Sequence, residues 1–158
     1  MRHILSVLVD NKPGVLARVA GLFSRRVYNI DSIAVGTERD PNISRMTIVV
    51  KGDDIILEQI NKQLNKLIEV IKIIDLTTIN HVEREMLLIR VKSTTTTRSE
   101  IIQICDIFRS RIIDVATDSL IIEITGTAEK NQAMVDLLAK FGIIDIARTG
   151  NISLARGK

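Results

Sequence analysis

The order of the hydrophobic patterns constrains the fold more than any other feature of this sequence. From residue 3 to about residue 78, strand-like alternation and helical spacing of apolar residues follow one another in the order βαββαβ. The same order occurs again between Met86 and Ala147. Because this order is typical of the split βαβ, or ferredoxin-like, sandwich, the chain is predicted to contain two such units in tandem. The predicted fold class is α+β.

The two units are predicted to be separate domains, residues 1–79 and 80–158. The hydrophilic segment Asn80–Glu85 interrupts the apolar pattern between them. With 158 residues, of which 46% are hydrophobic, the chain can fill two small cores. Its single cysteine, Cys105, cannot form a disulfide within the chain, and we expect it to pack among apolar neighbours.

Local signals predict where the helices begin and end. Pro13 is predicted to start the first helix, because its fixed φ suits the first helical position. Gly52–Asp54 supplies a turn and a cap for the second helix, and Thr97–Glu100 has the spacing of a capping box for the third. Gly142 is predicted to end the fourth helix. The residues after the last strand are predicted to be a tail.

The segment Asp10–Leu16 joins the first strand to the first helix and carries the candidate binding site. Gly14 has no side chain, so the N–H groups of the first helical turn are open to an anion at the positive end of the helix dipole. Asn11 offers an amide donor and an acceptor beside that end. These residues indicate a site for a small molecule with a carboxylate and an ammonium group. Ordinary turn and capping chemistry is the alternative interpretation. The second half has no counterpart of this turn, and no ligand is expected there.

Several kinds of chemistry have no signal in the sequence. No glycine-rich nucleotide loop is present, and His3, His81 and Cys105 are not spaced as metal ligands. No nucleophile accompanies His81 and Glu83, so neither a catalytic residue nor a metal or cofactor site is expected. The net charge of +3 is spread along the chain, and the strands lack the aromatic residues on which RNA bases stack. A membrane partner is not expected either, because no apolar run approaches about 20 residues and no signal sequence is visible.

Taken together, these motifs are similar to those of a known family. The chain resembles the small regulatory subunits of acetohydroxyacid synthase, also called acetolactate synthase. The resemblance runs essentially from end to end and includes the segments Arg2–Val9, Gly14–Ser24, Tyr28–Ile30, Asp40–Thr47, Leu57–Leu67, His81–Glu85, Ile107–Arg109, Ile112–Val115, Thr125–Thr127, Ile146–Gly150 and Leu154–Gly157.

The resemblance implies a fold and a binding site. The first domain would be an ACT domain, a ferredoxin-like amino-acid sensor, and the second a ferredoxin-like domain special to the family. Two chains would pair through their ACT domains and bind valine between them. One wall of that site would be Asn11, Gly14 and Val15, and the other would be Asn29 and Ile30 of the second chain. The family usually has glycine where this chain has Val27, which would be strained at positive φ.

The resemblance also implies a function. The chain would activate the catalytic large subunit of acetolactate synthase and confer feedback inhibition by valine in isoleucine and valine biosynthesis. It would not be an enzyme itself, and thiamine diphosphate, Mg²⁺ and FAD would be bound by the catalytic partner. It would be located in the bacterial cytoplasm, or in the plastid stroma if it is plastid-encoded. The sequence does not decide between valine, leucine and isoleucine as effector, or the stoichiometry of the assembly.

An alternative from another class of protein is a stand-alone transcriptional regulator that responds to amino acids through ACT-like domains. It is disfavoured because no helix-turn-helix pattern flanks the two units, so no nucleic-acid partner is expected.

Overall fold

The computed structural model describes residues 1–158 and contains two compact units. The first consists of Met1–Val82 together with Asn151–Lys158, and the second of Glu83–Gly150. Each unit has the βαββαβ order of a ferredoxin-like fold, so the predicted α+β class is confirmed. The units differ from the predicted domains 1–79 and 80–158 mainly at the end of the chain, where Asn151–Lys158 belongs to the first unit.

The first unit is an antiparallel sheet covered on one face by two helices. Its elements are β1 (Arg2–Asp10), α1 (Val15–Arg25), β2 (Ile30–Thr37), β3 (Ile43–Lys51), α2 (Asp54–Asn65) and β4 (Val70–Asp75), and the strand order is β2-β3-β1-β4. Alternate residues of β1 and β3 meet the apolar faces of the helices because strand side chains alternate between the two faces of a sheet. The core is formed by Leu5, Val7, Val9, Val15, Val19, Leu22, Phe23, Met46, Ile48, Val50, Leu57, Ile60 and Leu64.

The second unit repeats this arrangement. Its elements are β5 (His81–Lys92), α3 (Arg98–Ile107), β6 (Arg111–Val115), β7 (Ser119–Gly126), α4 (Ala128–Leu138), a 3₁₀ turn (Ala139–Phe141) and β8 (Ile143–Arg148), with strand order β6-β7-β5-β8. A separate core lies between its sheet and helices, formed by Leu87, Ile89, Val91, Ile101, Cys105, Leu120, Ile122, Ile124, Met134 and Leu138. No helix of either unit is long and apolar enough to span a membrane.

The start of α1 differs from the prediction. The helix begins at Val15 and not at Pro13, because Gly14 has the left-handed angles φ 84° and ψ −9°. Lys12–Val15 is therefore a type II turn, in which proline suits the second position and glycine the third. The turn closes through a Val15 N–H to Lys12 carbonyl distance of 3.4 Å. The helical spacing of apolar residues also predicts that Leu16 lies on the buried face, but Leu16 is exposed.

The predicted cap of α2 is confirmed, whereas the predicted capping box of α3 is wrong. The Asp53 carboxylate accepts a hydrogen bond from the Ile56 N–H at 2.8 Å. Thr97 makes no such bond to the first turn of α3, since its hydroxyl accepts from the Thr94 N–H at 2.9 Å. The run of threonines before α3 offers competing local hydrogen bonds, which the capping-box spacing does not take into account.

Two further predictions, a polar break at residues 80–85 and an unstructured tail, are corrected by one strand pair. The polar segment is part of β5, and the tail contains a ninth strand, β9 (Ile152–Ala155), which pairs with β5. The Arg156 N–H donates to the Asn80 carbonyl at 2.9 Å. Backbone pairing therefore continues through a segment whose side chains give no apolar signal.

The connections that follow α1 and α3 share one unusual backbone conformation. Val27 has φ 59° and Arg109 has φ 54°, so both occupy the left-handed region. The next residue donates back to the helix in each case, from Tyr28 to the Phe23 carbonyl and from Ser110 to the Cys105 carbonyl. This is the Schellman motif, in which glycine is the usual left-handed residue.

We expect Val27→Gly to raise the free energy of unfolding of the first unit by about 0.5–1 kcal/mol. Left-handed backbone costs a residue with a side chain about 1–2 kcal/mol, and glycine removes this cost. About half of the gain is lost again, because glycine has a larger conformational entropy in the unfolded chain. No packing is lost, because the Val27 side chain is 90% exposed. Urea unfolding followed by Tyr28 fluorescence measures the change. Arg109→Gly should stabilise the second unit by a smaller amount than Val27→Gly stabilises the first, because arginine is not β-branched. Circular dichroism measures this unfolding transition. An unchanged or lower midpoint for Val27→Gly would contradict the expectation.

Candidate functional site

The first group of predicted site residues lies in the type II turn between β1 and α1. Asn11 and Gly14 are exposed, and α1 has neither a side-chain cap nor an acidic residue in its first turn. The Asn11 amide nitrogen donates to the Pro41 carbonyl at 2.9 Å, and its backbone N–H donates to Asn42 at 2.8 Å. These bonds fix the Asn11 side chain against the loop between β2 and β3, while its amide oxygen is left for a ligand.

Val15, the third predicted residue of this wall, contributes differently from its neighbours. Its side chain is buried in the core of the first unit, packed with the other apolar residues of α1 and β1. A ligand at the helix end can therefore meet only the backbone of Val15. The positive end of the helix dipole lies at the same place, so this wall offers N–H groups and an amide oxygen to an anion.

The second group of predicted residues lies at the start of β2. Asn29 is exposed, and its amide nitrogen lies 3.4 Å from an Asp31 carboxylate oxygen. Ile30 is half-buried and packs against the edge of the core. Asp31 is also 3.5 Å from the Lys51 ammonium, so the polar environment of Asn29 contains charges of both signs.

Within one chain the structure does not bring the two groups together. Ile30 is level with Val50 of β3, and Val50 is level with His3 near the start of β1. Asn11 follows the other end of β1. At about 3.3 Å per residue, the distance along β1 from His3 to Asn11 is about 26 Å. The two groups therefore lie at opposite ends of one sheet, and a single site cannot contain both from the same chain.

Arg18 is a neighbour of the site that the sequence interpretation missed. A Cβ placed on Gly14 would lie 3.2 Å from the Arg18 Nη1 atom. The guanidinium also forms an ion pair with Glu69. The helical spacing predicts only that Arg18 lies on the face of α1 opposite the apolar residues, although a residue four positions after Gly14 lies over it in a helix. The turn is thus next to a cation as well as a helix end.

A second polar group lies at the same end of the sheet. The Glu38 carboxylate accepts hydrogen bonds from the Arg39 N–H at 3.2 Å and from the Arg45 guanidinium at 3.0 Å. These two donors, the backbone N–H first, hold the pKa of Glu38 below its usual value. Arg45 also donates to the Ser6 hydroxyl at 2.7 Å. These hydrogen bonds fix the end of β2 and the start of β3 on either side of the loop that holds Asn11.

Potential catalytic and metal-binding groups are few. No cluster of three or more His, Cys, Asp or Glu side chains could hold a metal ion. Burial raises the pKa of the Cys105 thiol, which lies in the core of the second unit. A buried thiol with a raised pKa is a poor nucleophile.

Comparisons with known proteins agree over the whole chain. Residues 5–72 match the family model described as an AHAS small subunit-like ACT domain, and residues 84–157 match that of the small subunit of acetolactate synthase. A probable acetolactate synthase small subunit from Archaeoglobus fulgidus is 55% identical over 99% of this chain and 98% of its own length. The acetolactate synthase small subunit of Mycolicibacterium smegmatis is 54% identical over 98% of this chain and 91% of its own.

A solved structure is also similar throughout. The crystal structure of the acetolactate synthase small subunit from Thermotoga maritima has a TM-score of 0.91 and 47% sequence identity, covering 100% of this chain and 99% of that one. Fold and matches together define a protein with an N-terminal ACT domain followed by a second ferredoxin-like unit. The chain belongs to the acetolactate synthase small-subunit family. Membership makes it a regulatory subunit with a catalytic large subunit as partner.

Proposed function

We propose that this chain activates the catalytic large subunit of acetolactate synthase and, on binding valine, passes feedback inhibition to it. The observation that carries the proposal is the uncapped first turn of α1 at Gly14, beside Asn11 and Arg18. In the same unit α2 is capped by its own Asp53 carboxylate. The backbone of α1 thus retains donors for the carboxylate of an amino acid.

The second half of the proposal is that valine binds between two chains. The strand order makes β2 an edge strand of the first unit. Two β2 strands that pair antiparallel place the start of one next to the end of the other. The end of β2, Thr37, is level with Ser44, which is level with Val9, close to Asn11. A homodimer of this kind therefore places Asn29 and Ile30 of one chain near the turn of the other.

In such a site each group has a partner on valine. The α1 N–H groups and the Arg18 guanidinium attract the carboxylate, while the amide oxygens of Asn11 and Asn29 accept from the ammonium. Ile30 offers apolar surface to the isopropyl group. Thiamine diphosphate, Mg²⁺ and FAD belong to the catalytic partner in this proposal. The named relatives are archaeal and bacterial, which supports a cytoplasmic location and gives no support to a plastid one.

Calorimetry on the full chain tests the binding step. Titration with valine, leucine and isoleucine at millimolar concentration should give heat with at least one of them, and the stoichiometry should follow the dimer. The reconstituted enzyme tests the regulatory step: adding the chain to a catalytic subunit should raise its activity, and valine should then lower it. If the folded dimer gives no heat with any of the three amino acids, the proposed role as an amino-acid sensor is wrong. If the chain binds the catalytic subunit but does not raise its activity, the proposed role as an activator is wrong.

A further inference from the structure

The second unit has an exposed edge strand whose own sequence is suited to pairing with a second copy. The strand order β6-β7-β5-β8 leaves one side of β6 without a neighbouring strand. Ile113 and Val115 on β6 are 51% and 63% exposed, and Ile107, at the end of the preceding helix, is 76% exposed. Edge strands with unpaired backbone groups and exposed apolar residues are templates for another strand.

A bulge within β6 leaves one of these residues without a partner in its own sheet. Ile112 is level with Ile122 of β7, and Asp114 is level with the adjacent Ile121. Ile113 therefore has no opposite residue in β7 and is the extra residue of the bulge. The side chain of Ile113 is half exposed and has no cross-strand partner on β7.

The charges on this strand are self-complementary. The sequence Arg111-Ile112-Ile113-Asp114 reads positive, apolar, apolar, negative. When two copies run antiparallel with Ile112 opposite Ile113, each Arg111 faces Asp114 of the second copy, and the two isoleucines face each other. Opposite charges directly across an antiparallel pair are stabilising and like charges are not. A shift of the register by one residue places each charge opposite an uncharged residue, and parallel pairing places like charges side by side.

We propose that β6 is a second self-association surface, through which the second units of two copies of this chain pair antiparallel in the register that joins Arg111 to Asp114. The occupant is a second copy because the pattern matches itself under a two-fold axis, which is the requirement of an isologous interface. This surface is on a different unit from the β2 edge and involves no residue of the valine site. The proposed pairing through β6 can therefore be tested independently of the proposed valine response.

Charge reversal on the full-length chain tests the proposal. Asp114→Arg replaces two attractive pairs by two repulsive ones, so we expect self-association, measured by analytical ultracentrifugation over a range of concentrations at low salt, to weaken by at least about tenfold. The double variant Arg111→Asp/Asp114→Arg restores both pairs with the charges exchanged, and should recover the original assembly. Asp136→Arg on the exposed side of α4 makes the same charge change away from β6 and should have no effect.

The control and the rescue make the outcomes separable. Circular dichroism confirms that each variant is folded. If Asp114→Arg and the unaltered chain associate equally at all concentrations, or if the double variant is as weak as the single one, the proposed pairing is wrong. The proposal also fails if Asp114→Arg leaves self-association unchanged and abolishes binding to the catalytic subunit, because β6 would then bind the catalytic subunit and not a second copy of this chain.

Discussion

Valine binding is expected to weaken by about tenfold to several hundredfold when Gly14 is replaced by aspartate. The new carboxylate would lie where the carboxylate of the ligand is proposed to bind. Two like charges about 4 Å apart repel by roughly 1–4 kcal/mol, depending on the effective dielectric. Calorimetry measures the loss directly, and the reconstituted enzyme should lose its sensitivity to valine. Activation without valine should remain, because the core of the first unit is untouched.

The structure supplies the control that this experiment needs. Gly14 has φ 84°, so any side chain at this position is strained, and its Cβ would lie 3.2 Å from the Arg18 guanidinium. Gly14→Asn carries the same strain and nearly the same shape without the charge, and asparagine and aspartate both tolerate this conformation better than other residues. The difference between Asp and Asn therefore isolates electrostatics. If both variants bind valine as the unaltered protein does, the site lies elsewhere.

Removal of residues 151–158 should destabilise the first unit by about 3 kcal/mol or more. The deletion removes β9, the hydrogen bond from the Asn151 N–H to the Ser32 hydroxyl at 3.2 Å and that from Arg156 to Asn80. Each lost bond is worth about 1 kcal/mol, and about 25 cal/mol is lost for each Å² of apolar surface that is uncovered. Asn151 and Ser153 are buried in the folded chain, which shows how closely this segment packs.

Tyr28 is the only tyrosine and belongs to the first unit, so its fluorescence during urea unfolding reports on the deletion directly. Removing only Gly157 and Lys158 is the matched control, since both residues are exposed. That shorter deletion should change the free energy of unfolding by less than about 0.5 kcal/mol. Equal stability of both deletions would show that β9 contributes nothing. A fragment ending at residue 79 also lacks β9, so we expect it to fold less stably than the domain boundary in the sequence suggests.

Periodicity predicted those elements whose apolar side chains face a core. The strand pattern of residues 43–51 predicts β3, which spans Ile43–Lys51 in the structure. The cap predicted within Gly52–Asp54 is formed by Asp53. β9 was missed because its pattern is inverted: Ser153 is buried while Ile152 and Leu154 are exposed. The strand is held by backbone pairing with a segment far away in sequence, and such pairing leaves no mark on local hydrophobic spacing.

The candidate site stays a prediction, and the sequence indicates the placement of its residues only in part, for a similar reason. The turn at Asn11 and Gly14 is local, and proline followed by glycine indicated it directly, although not the two-residue delay of the helix. Val15 is buried together with Val19, Leu22 and Phe23, as their helical spacing predicts, so the later helix start leaves the buried face unchanged. The opposite placement of Asn29 depends on strand order and register, which the sequence of one chain does not encode locally. The family pattern predicts that Val27 is strained if its φ is positive, and the structure has φ 59° at this position.

The placement of β9 has a consequence for synthesis on the ribosome. The first unit is made of the first and the last residues of the chain, Met1–Val82 and Asn151–Lys158. Translation adds about 5–20 residues per second, so roughly 3–14 s pass between the two parts while the second unit is made. During that interval the nascent first unit has its helices and its core but lacks β9. The second unit, which is continuous in sequence, can therefore complete its fold before the first, although it is translated later.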